Sequence, residues 1–219
     1  MNQDKFPIKR KIISITILGE TAVGKTQIYN YFSNKKFDHN NLSTIGYDVR
    51  TIEYKLKNDQ MIKIKLWDTA GQEKYKNVAL QYIKNTHGII FVYDITNRES
   101  FNQLSKWIKV ANSKINLDEI PTTILGNKLD LNNERIVNTE EGEQFAKNLS
   151  ASFFETSAKD GTNIDKAFDE LINKIYENIQ YEFGNGGNLH DNSFILTKDK
   201  EKKKNKCCNK EKKNKTDDF

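Results

Sequence analysis

An eight-residue segment near the start of this 219-residue chain constrains the fold more than any other feature. Residues 19–26 read GETAVGKT and match the phosphate-binding pattern G-x-x-x-x-G-K-[ST] at every fixed position. Such a loop needs a strand before it and a helix after it, because its backbone N–H groups and the helix N-terminus together hold the phosphates. A β-branched run at residues 12–18 and a helical apolar spacing after the loop meet this need. The segment predicts a nucleoside triphosphate site in which Lys25 supplies a point charge and Thr26 a Mg²⁺ ligand.

Strand and helix patterns alternate through the rest of residues 11–183. Two runs of period two, at residues 52–56 and 62–66, flank a short polar segment and predict an antiparallel hairpin with one solvated face. The clearest helical stripe runs from Ile164 to Ile179, behind the capping pattern Thr162-x-x-Asp165. This order predicts an α/β fold with a mostly parallel six-stranded sheet, one antiparallel edge hairpin and helices on both faces.

The charge and the cysteines divide the chain into a body and a tail. The net charge of +5 is concentrated in residues 184–219, which hold ten lysines against six acidic residues. The balanced body is therefore a poor candidate for nucleic-acid binding. The two cysteines, Cys207 and Cys208, also lie in the tail, so a disulfide framework, a cysteine-ligated zinc site and a cysteine nucleophile are excluded from the body.

We expect three regions along the chain. Residues 1–10 form a polar N-terminal extension without the apolar core of a secretory signal. Residues 11–183 form the folded domain. Residues 184–219 are rich in Lys and Asn and are expected to be disordered, because they bury too little apolar surface to offset the ordering entropy. The composition is that of a cytoplasmic protein.

Three further motifs follow predicted strands, where ligands of open α/β sheets bind. They read DTAGQ at residues 68–72, GNKLD at 126–130 and TSAK at 156–159. Together with the phosphate loop and Thr44, which lies 18 residues after Thr26, they resemble a small GTPase of the Ras superfamily over roughly residues 11–180. The resemblance implies a P-loop G domain that binds GTP or GDP with Mg²⁺.

The resemblance also implies how the base is recognised. Asp130 would accept the N1–H and 2-amino group of guanine, and it would face adenine unpaired at a cost on the order of 1 to 3 kcal/mol per group. Asn127 would join the neighbouring loops, Lys128 would lie along the base, the Ala158 N–H would meet O6, and Phe37 would pack edge-on. The implied nucleotide-binding residues are Gly19, Glu20, Thr21, Ala22, Val23, Gly24, Lys25, Thr26, Phe37, Thr44, Gly71, Asn127, Lys128, Asp130, Ser157, Ala158 and Lys159.

The same resemblance implies a switch. Thr44 and Gly71 would contact the γ-phosphate, so that segments of about residues 36–47 and 68–82 are ordered only while it is present. The implied Mg²⁺ ligands are Thr26, Thr44 and, through water, Asp68. The implied catalytic residues are Gln72, which orients the attacking water, together with Lys25 and Thr44.

Hydrolysis by the chain alone is expected to be slow. No arginine of the body matches one supplied in cis near the phosphates, so an activating protein would contribute an arginine worth about 10³ to 10⁵ in rate. Thr21 stands where many Ras-like members have glycine, and its side chain could crowd the water or that arginine.

Within the superfamily the chain is similar to the Rab family. The segments that carry this similarity are STIGYD at 43–48, WDTAGQEKY at 67–75 and HGIIFVYDIT at 87–96. Val49 replaces the usual phenylalanine of the Rab aromatic triad, and Tyr47 is the candidate to supply the missing ring. The implied effector surface consists of Ile45, Gly46, Tyr47, Trp67 and Tyr82. The similarity implies a monomer that acts in vesicle traffic. Its implied partners are an exchange factor, an activating protein and effectors.

The tail departs from that family. Cys207 and Cys208 are followed by eleven more residues, and no C-a-a-X sequence is present. Two interpretations stay open: lipidation of the pair, and a solvated linker. Lys202, Lys203, Lys204 and Lys206 could attract anionic lipid on the cytosolic face of a membrane in either case, at about 1 kcal/mol per residue.

Two other functions compete with the leading one. One is a guanine-nucleotide-dependent scaffold with negligible hydrolysis. Gln72, the implied water-orienting residue, argues against it, whereas Thr21, which could crowd the water, leaves it open. A P-loop small-molecule kinase would leave Asp130 and the TSAK segment unexplained.

Overall fold

The computed structural model describes residues 12–34, 47–69 and 83–184. Its strands are β1 (Ile12–Gly19), β2 (Tyr47–Lys55), β3 (Met61–Thr69), β4 (Gly88–Asp94), β5 (Thr122–Asn127) and β6 (Ser152–Thr156). Its α-helices are α1 (Lys25–Asn34), α2 (Arg98–Asn102), α3 (Leu104–Asn112), α4 (Thr139–Asn148) and α5 (Ile164–Gly184). Two 3₁₀ turns, Leu117–Glu119 and Leu129–Glu134, lie on either side of β5.

The six strands form one sheet in the order β2-β3-β1-β4-β5-β6. β2 and β3 pair antiparallel at one edge, and every other neighbouring pair is parallel. The predicted fold class is confirmed, with hairpin strands longer than the period-two runs alone indicated. Parallel pairing brings the carboxyl ends of β1, β3, β4 and β5 to one edge of the sheet.

Both faces of the sheet are covered by helices because successive side chains of a strand point to opposite faces. On one face, Ile13, Ile15 and Ile17 of β1 belong to a buried cluster that includes residues of α1 and α5. On the other face, a second cluster joins Leu18 and Phe91 to α3 and α4. Full burial of each such side chain contributes about 1.5–3 kcal/mol, so these clusters fix the positions of the strand ends.

The edge hairpin is also attached to the last helix. The Tyr54 hydroxyl donates to a carboxylate oxygen of Asp169, and the Tyr176 hydroxyl donates to Oε1 of Gln60. Both bonds join β2 or the hairpin turn to α5. They hold the β2–β3 pair, which in the described sheet adjoins the other strands through β1 alone.

The start of α5 differs from the capping pattern expected for it. The helix begins at Ile164, and Asn163 lies at φ 58°, in the left-handed region. The Thr162 hydroxyl donates to Asp160 Oδ1 at 2.6 Å, which turns it toward the preceding loop. The Asn163 amide donates to the Glu155 carbonyl at 2.8 Å and so ties the entry of the helix to β6.

His87 joins β1 to the start of β4 at the amino-terminal edge of the sheet. The Ser14 N–H donates to His87 Nδ1 at 2.9 Å, and the His87 N–H donates back to the Ser14 carbonyl at 2.8 Å. Burial of the imidazole lowers the pKa of His87. A neutral ring is needed here, because a protonated Nδ1 could not accept the Ser14 N–H.

We expect His87 to make stability fall at acidic pH. The pKa of His87 in the folded protein lies below its unfolded value of about 6.5, so the unfolded chain binds the proton first as pH falls. The contribution of His87 to the free energy of unfolding should be complete above about pH 6.5 and should shrink below it, until the folded pKa is passed. Urea titrations from about pH 5 to 8 would measure this slope.

The matched variants are His87→Asn, which keeps an acceptor for the Ser14 N–H, and His190→Gln in the tail. The first should flatten the slope and the second should leave it unchanged. An unchanged slope in His87→Asn would contradict the assignment.

Candidate nucleotide-binding site

The phosphate loop joins the end of β1 to the first residue of α1. Gly19, Ala22 and Gly24 all have positive φ, at 151°, 65° and 96°. A Cβ on Gly24 would lie 2.3 Å from Nδ2 of Asn127, so only glycine permits this approach of the loop to the end of β5. The curled backbone and the N-terminus of α1 make the loop a concave anion site.

Lys25 lies inside the loop. Its side chain is buried, and Nζ donates to the Glu20 carbonyl at 2.7 Å. Burial lowers the pKa of Lys25 to about 8, while the Asp68 and Glu20 carboxylates act in the opposite direction. The amine is therefore mostly charged at neutral pH, and it is desolvated, which strengthens its attraction for a phosphate.

Thr26 in the first turn of α1 meets Asp68 near the end of β3. The Thr26 hydroxyl donates to Asp68 Oδ2 at 2.7 Å, and Asp68 is fully buried. A hydroxyl and a carboxylate are the hard oxygen ligands that Mg²⁺ prefers. The two side chains are thus suited to hold a magnesium ion beside the phosphate loop.

Asn127 at the end of β5 connects three segments. Its Nδ2 donates to the Val23 carbonyl at 2.8 Å, and its Oδ1 accepts from the Ala158 N–H at 3.2 Å and the Thr156 hydroxyl at 3.3 Å. The side chain is fully buried. The phosphate loop, the GNKLD segment and the TSAK segment are therefore held in a fixed relation.

Asp130 is held beside that junction. Its Oδ1 accepts from the Ser157 hydroxyl at 2.8 Å, and Lys159 Nζ lies 3.8 Å from its Oδ2. The Asp130 side chain is mostly but not completely buried. A carboxylate held in this way is positioned to accept two parallel hydrogen bonds from a ligand.

Lys128 is positioned by an acidic partner on the neighbouring strand. It lies at φ 70°, and its Nζ is 2.6 Å from Oδ2 of Asp94, the last residue of β4. Asp94 is nearly buried, and its other oxygen accepts from the Thr96 N–H and hydroxyl at 2.8 and 2.7 Å. Three bonds to one carboxylate fix the ammonium of Lys128 beside the base-binding segments.

Comparisons with known proteins decide the family. The model of the Ras family matches residues 14–177. The chain is 38% identical over 190 residues to Ras-related protein Rab-11B of Dictyostelium discoideum, covering 84% of this chain and 86% of that protein. It is 38% identical over 170 residues to human Ras-related protein Rab-3A, covering 77% and 76%. It is 38% identical over 168 residues to Ras-related protein Rab-10 of Diplobatis ommata, covering 76% and 82%.

The chain belongs to the Ras family. Within it, the protein is a Rab-like small GTPase, and the resemblance inferred from the motifs is confirmed. Guanine nucleotide is accordingly its ligand, and GTP hydrolysis is its reaction.

The structure brings together many of the residues expected to bind this ligand. Through the contacts given above, several of them meet at the carboxyl edge of the sheet: the loop residues 19–26, Asp68, Asn127, Lys128, Asp130 and the segment 157–159. The expected residues that lie outside the described part of the chain are Phe37, Thr44, Ile45, Gly46, Gly71, Gln72, Tyr82, Cys207 and Cys208. Their assigned roles stay predictions.

The two described members of the expected effector surface are neighbours. The rings of Tyr47 and Trp67 have centroids 5.7 Å apart at an interplanar angle of 47°, and Tyr47 is 44% exposed. Lys65 Nζ lies 4.4 Å from the centroid of the Trp67 ring. Val49 pairs directly with Trp67, and Tyr47 pairs with Thr69 further along the same edge. An aromatic surface on this Rab-like chain is thus present despite Val49.

Two residues of the site were not expected from the sequence. Asp94 ends β4, so extending the search of strand ends to that strand would have found it. Trp107 belongs to no sequence motif, yet its indole N–H donates to Glu20 Oε1 of the phosphate loop at 2.9 Å. No local pattern signals a contact between residues 87 positions apart.

The left-handed backbone conformation of Ala22 affects the stability of the fold. Ala22 is exposed and lies at φ 65°, where a Cβ costs about 1 kcal/mol. We expect Ala22→Gly to raise the free energy of unfolding by up to about 1 kcal/mol, because strain relief exceeds the added entropy of the unfolded chain. Urea unfolding of nucleotide-free protein would measure it.

Ala151→Gly is the matched control, since Ala151 is not among the described residues with positive φ. This control should lower stability. Equal losses in both variants would show that Ala22 is not strained.

Proposed function

We propose that this Rab-like GTPase is a switch of intracellular vesicle traffic that binds effectors in its GTP form and hydrolyses GTP slowly when alone. The observation that carries the proposal is the set of bonds made by Asn127. They join the phosphate loop to the segments that would hold the base, so one ligand spanning both is accommodated. Guanosine triphosphate has those two ends.

Selection of guanine is assigned to Asp130. Ser157 and Lys159 hold its carboxylate, which then accepts N1–H and the 2-amino group of guanine together. Adenine offers neither donor, so the carboxylate would lose water without gaining a partner. The Ala158 N–H, which is assigned to guanine O6, donates to Asn127 Oδ1 at 3.2 Å in this structure, so contact with O6 requires that bond to be shared or exchanged.

We expect Asp130→Asn to change the base that is bound. An amide pairs poorly with the two donors of guanine but can donate to the 2-oxo group of xanthine while accepting its N1–H. Two weakened charge-assisted bonds should lower the affinity for GTP about 100-fold or more, and affinity for xanthosine triphosphate should rise. Fluorescence titration with the three triphosphates of guanosine, xanthosine and adenosine would test this.

The control is Asp118→Asn, which changes an exposed aspartate in a 3₁₀ turn. It should bind GTP as the parent does. Retained GTP preference in Asp130→Asn would remove Asp130 from base recognition.

The phosphate end of the site is assigned to Lys25, Thr26 and Asp68, with Thr44 as the further Mg²⁺ ligand. A bound Mg²⁺ would neutralise charge that develops on the phosphate oxygens. Lys25 would add a desolvated ammonium, and the loop N–H groups would complete the cradle. Gln72 is assigned to orient the attacking water, with Gly71 and Thr44 at the γ-phosphate.

Slow hydrolysis follows from how the arginines are used in the described part of the chain. Arg98 donates to Glu141 and to the Ile136 carbonyl, and Arg135 forms a bidentate pair with Glu155. Arg50 lies over the Tyr29 ring. A partner would therefore supply the arginine that stabilises the transition state, at about 10³ to 10⁵ in rate.

Gln72→Leu should slow hydrolysis without weakening GTP binding. Loss of one oriented water contact costs about tenfold or more in rate. Single-turnover assays of the parent, Gln72→Leu and the exposed-helix control Gln144→Leu would measure it, each with and without a Rab-type activating protein. Equal rates for all three, and no acceleration, would favour the scaffold function instead.

Partners are expected to bind the surface beside the nucleotide. An exchange factor, an activating protein and effectors would contact the switch segments, Ile45, Gly46 and Tyr82 among them, and the adjoining Tyr47–Trp67 pair. The exposed ring of Tyr47 would give effectors an aromatic contact close to Val49, which has no ring. We expect the chain itself to act as a monomer.

Membrane contact is assigned to the tail. Within residues 12–34, 47–69 and 83–184, no helix combines the length and apolar character needed to cross a membrane. The lysines at 202–204 and 206 would bind anionic lipid from the cytosolic side, with Cys207 and Cys208 as candidate lipidation sites.

A further inference from the structure

Trp107 of α3 contacts the phosphate loop through a hydrogen bond. The tryptophan is 1% exposed, and its indole N–H donates to Glu20 Oε1 at 2.9 Å. The carbonyl of the same Glu20 accepts from Lys25 Nζ at 2.7 Å. Glu20 therefore connects the core side of a helix to the ammonium at the centre of the loop.

The burial of Trp107 explains why the bond is not incidental. Leu104, Trp107 and Ala111 form the buried stripe of α3 against the sheet. A buried indole N–H needs an acceptor, and leaving it without one is costly. The acceptor comes from the phosphate loop, so the packing of α3 and the position of residue 20 depend on each other.

The charge of Glu20 also indicates that its contact with Trp107 is specific. A carboxylate in a loop that receives a triphosphate repels its ligand, and this one is close enough to Lys25 to act on the ammonium. The same carboxylate also makes a specific contact. Here that contact is the acceptor for Trp107.

We propose that Trp107 and Glu20 are positioning residues for nucleotide retention, in which the indole–carboxylate bond holds the phosphate loop in its binding shape. The inference rests on the proposed function of the loop and adds two residues that act through Lys25 and the loop backbone. Breaking the bond frees residue 20, loosens the carbonyl that anchors Lys25 and speeds nucleotide release.

Release of a fluorescent GDP from the full chain tests the proposal by stopped flow. Trp107→Phe removes the donor and keeps most of the ring, and Glu20→Ala removes the acceptor. Each should speed release about fivefold to tenfold, the effect of one lost hydrogen bond. The double variant should be no faster than the singles, because both remove the same bond. Glu20→Gln, which keeps an oxygen acceptor, should restore most of the slow release lost in Glu20→Ala.

A control separates positioning from general stability. Ile108→Val trims a partly buried neighbour on the same helix and leaves the indole bond intact; it should lower the urea midpoint without changing release. Release rates that track the urea midpoint across all variants would overturn the proposal, as would effects that multiply in the double variant. If Trp107→Phe fails to fold, the comparison of Glu20→Ala with Glu20→Gln decides alone.

Failure of the proposed function and failure of the two positioning roles give different results. A parent chain that binds no guanine nucleotide would refute the proposed function. A parent that retains GDP, with variants that release it at the parent's rate, would refute only the roles of Trp107 and Glu20.

Discussion

The side chain of Asn127 is the contact on which the nucleotide site depends. A primary amide can donate and accept at once, and Asn127 uses both capacities, toward the Val23 carbonyl and the Ala158 N–H. Its complete burial removes competition from water. Neither leucine nor aspartate could replace it, because the first has no polar atom and the second has no donor. Gly24 accommodates this amide by having no side chain.

The order of the strands in the sheet holds the contacts of Asn127 in place, because it sets the ends of neighbouring strands beside each other. β1, β4 and β5 are adjacent and parallel, so the phosphate loop, Asp94 and Asn127 emerge at neighbouring positions. Two buried clusters hold the strands from opposite faces. A site assembled in this way is preorganised, so little of the binding energy of the nucleotide is consumed in ordering these residues.

The sequence was most informative where function depends on a local pattern or on strand ends. The phosphate loop and the edge hairpin followed from motif spacing and strand patterns, whereas the roles assigned to Asn127 and Asp130 rest on family resemblance and stay predictions. Pairings that depend on packing were not predictable, as Trp107–Glu20 shows. The structure begins α5 at Ile164, one residue later than a cap at Thr162 predicts, because Asn163 adopts a left-handed conformation. Thr44 and Gln72 rest on family resemblance and lie outside the described residues.

The register of the edge hairpin links the two expected switch segments at their roots. Tyr47, where β2 begins, is the register partner of Thr69, where β3 ends. Residues 36–47 and 68–82 are therefore tethered to one pair of facing residues, about 5 Å apart across the ladder. Tyr54 and Tyr176 anchor the far end of the hairpin to α5. Because Tyr47 and Thr69 are register partners, a displacement at the root of one segment acts directly on the root of the other.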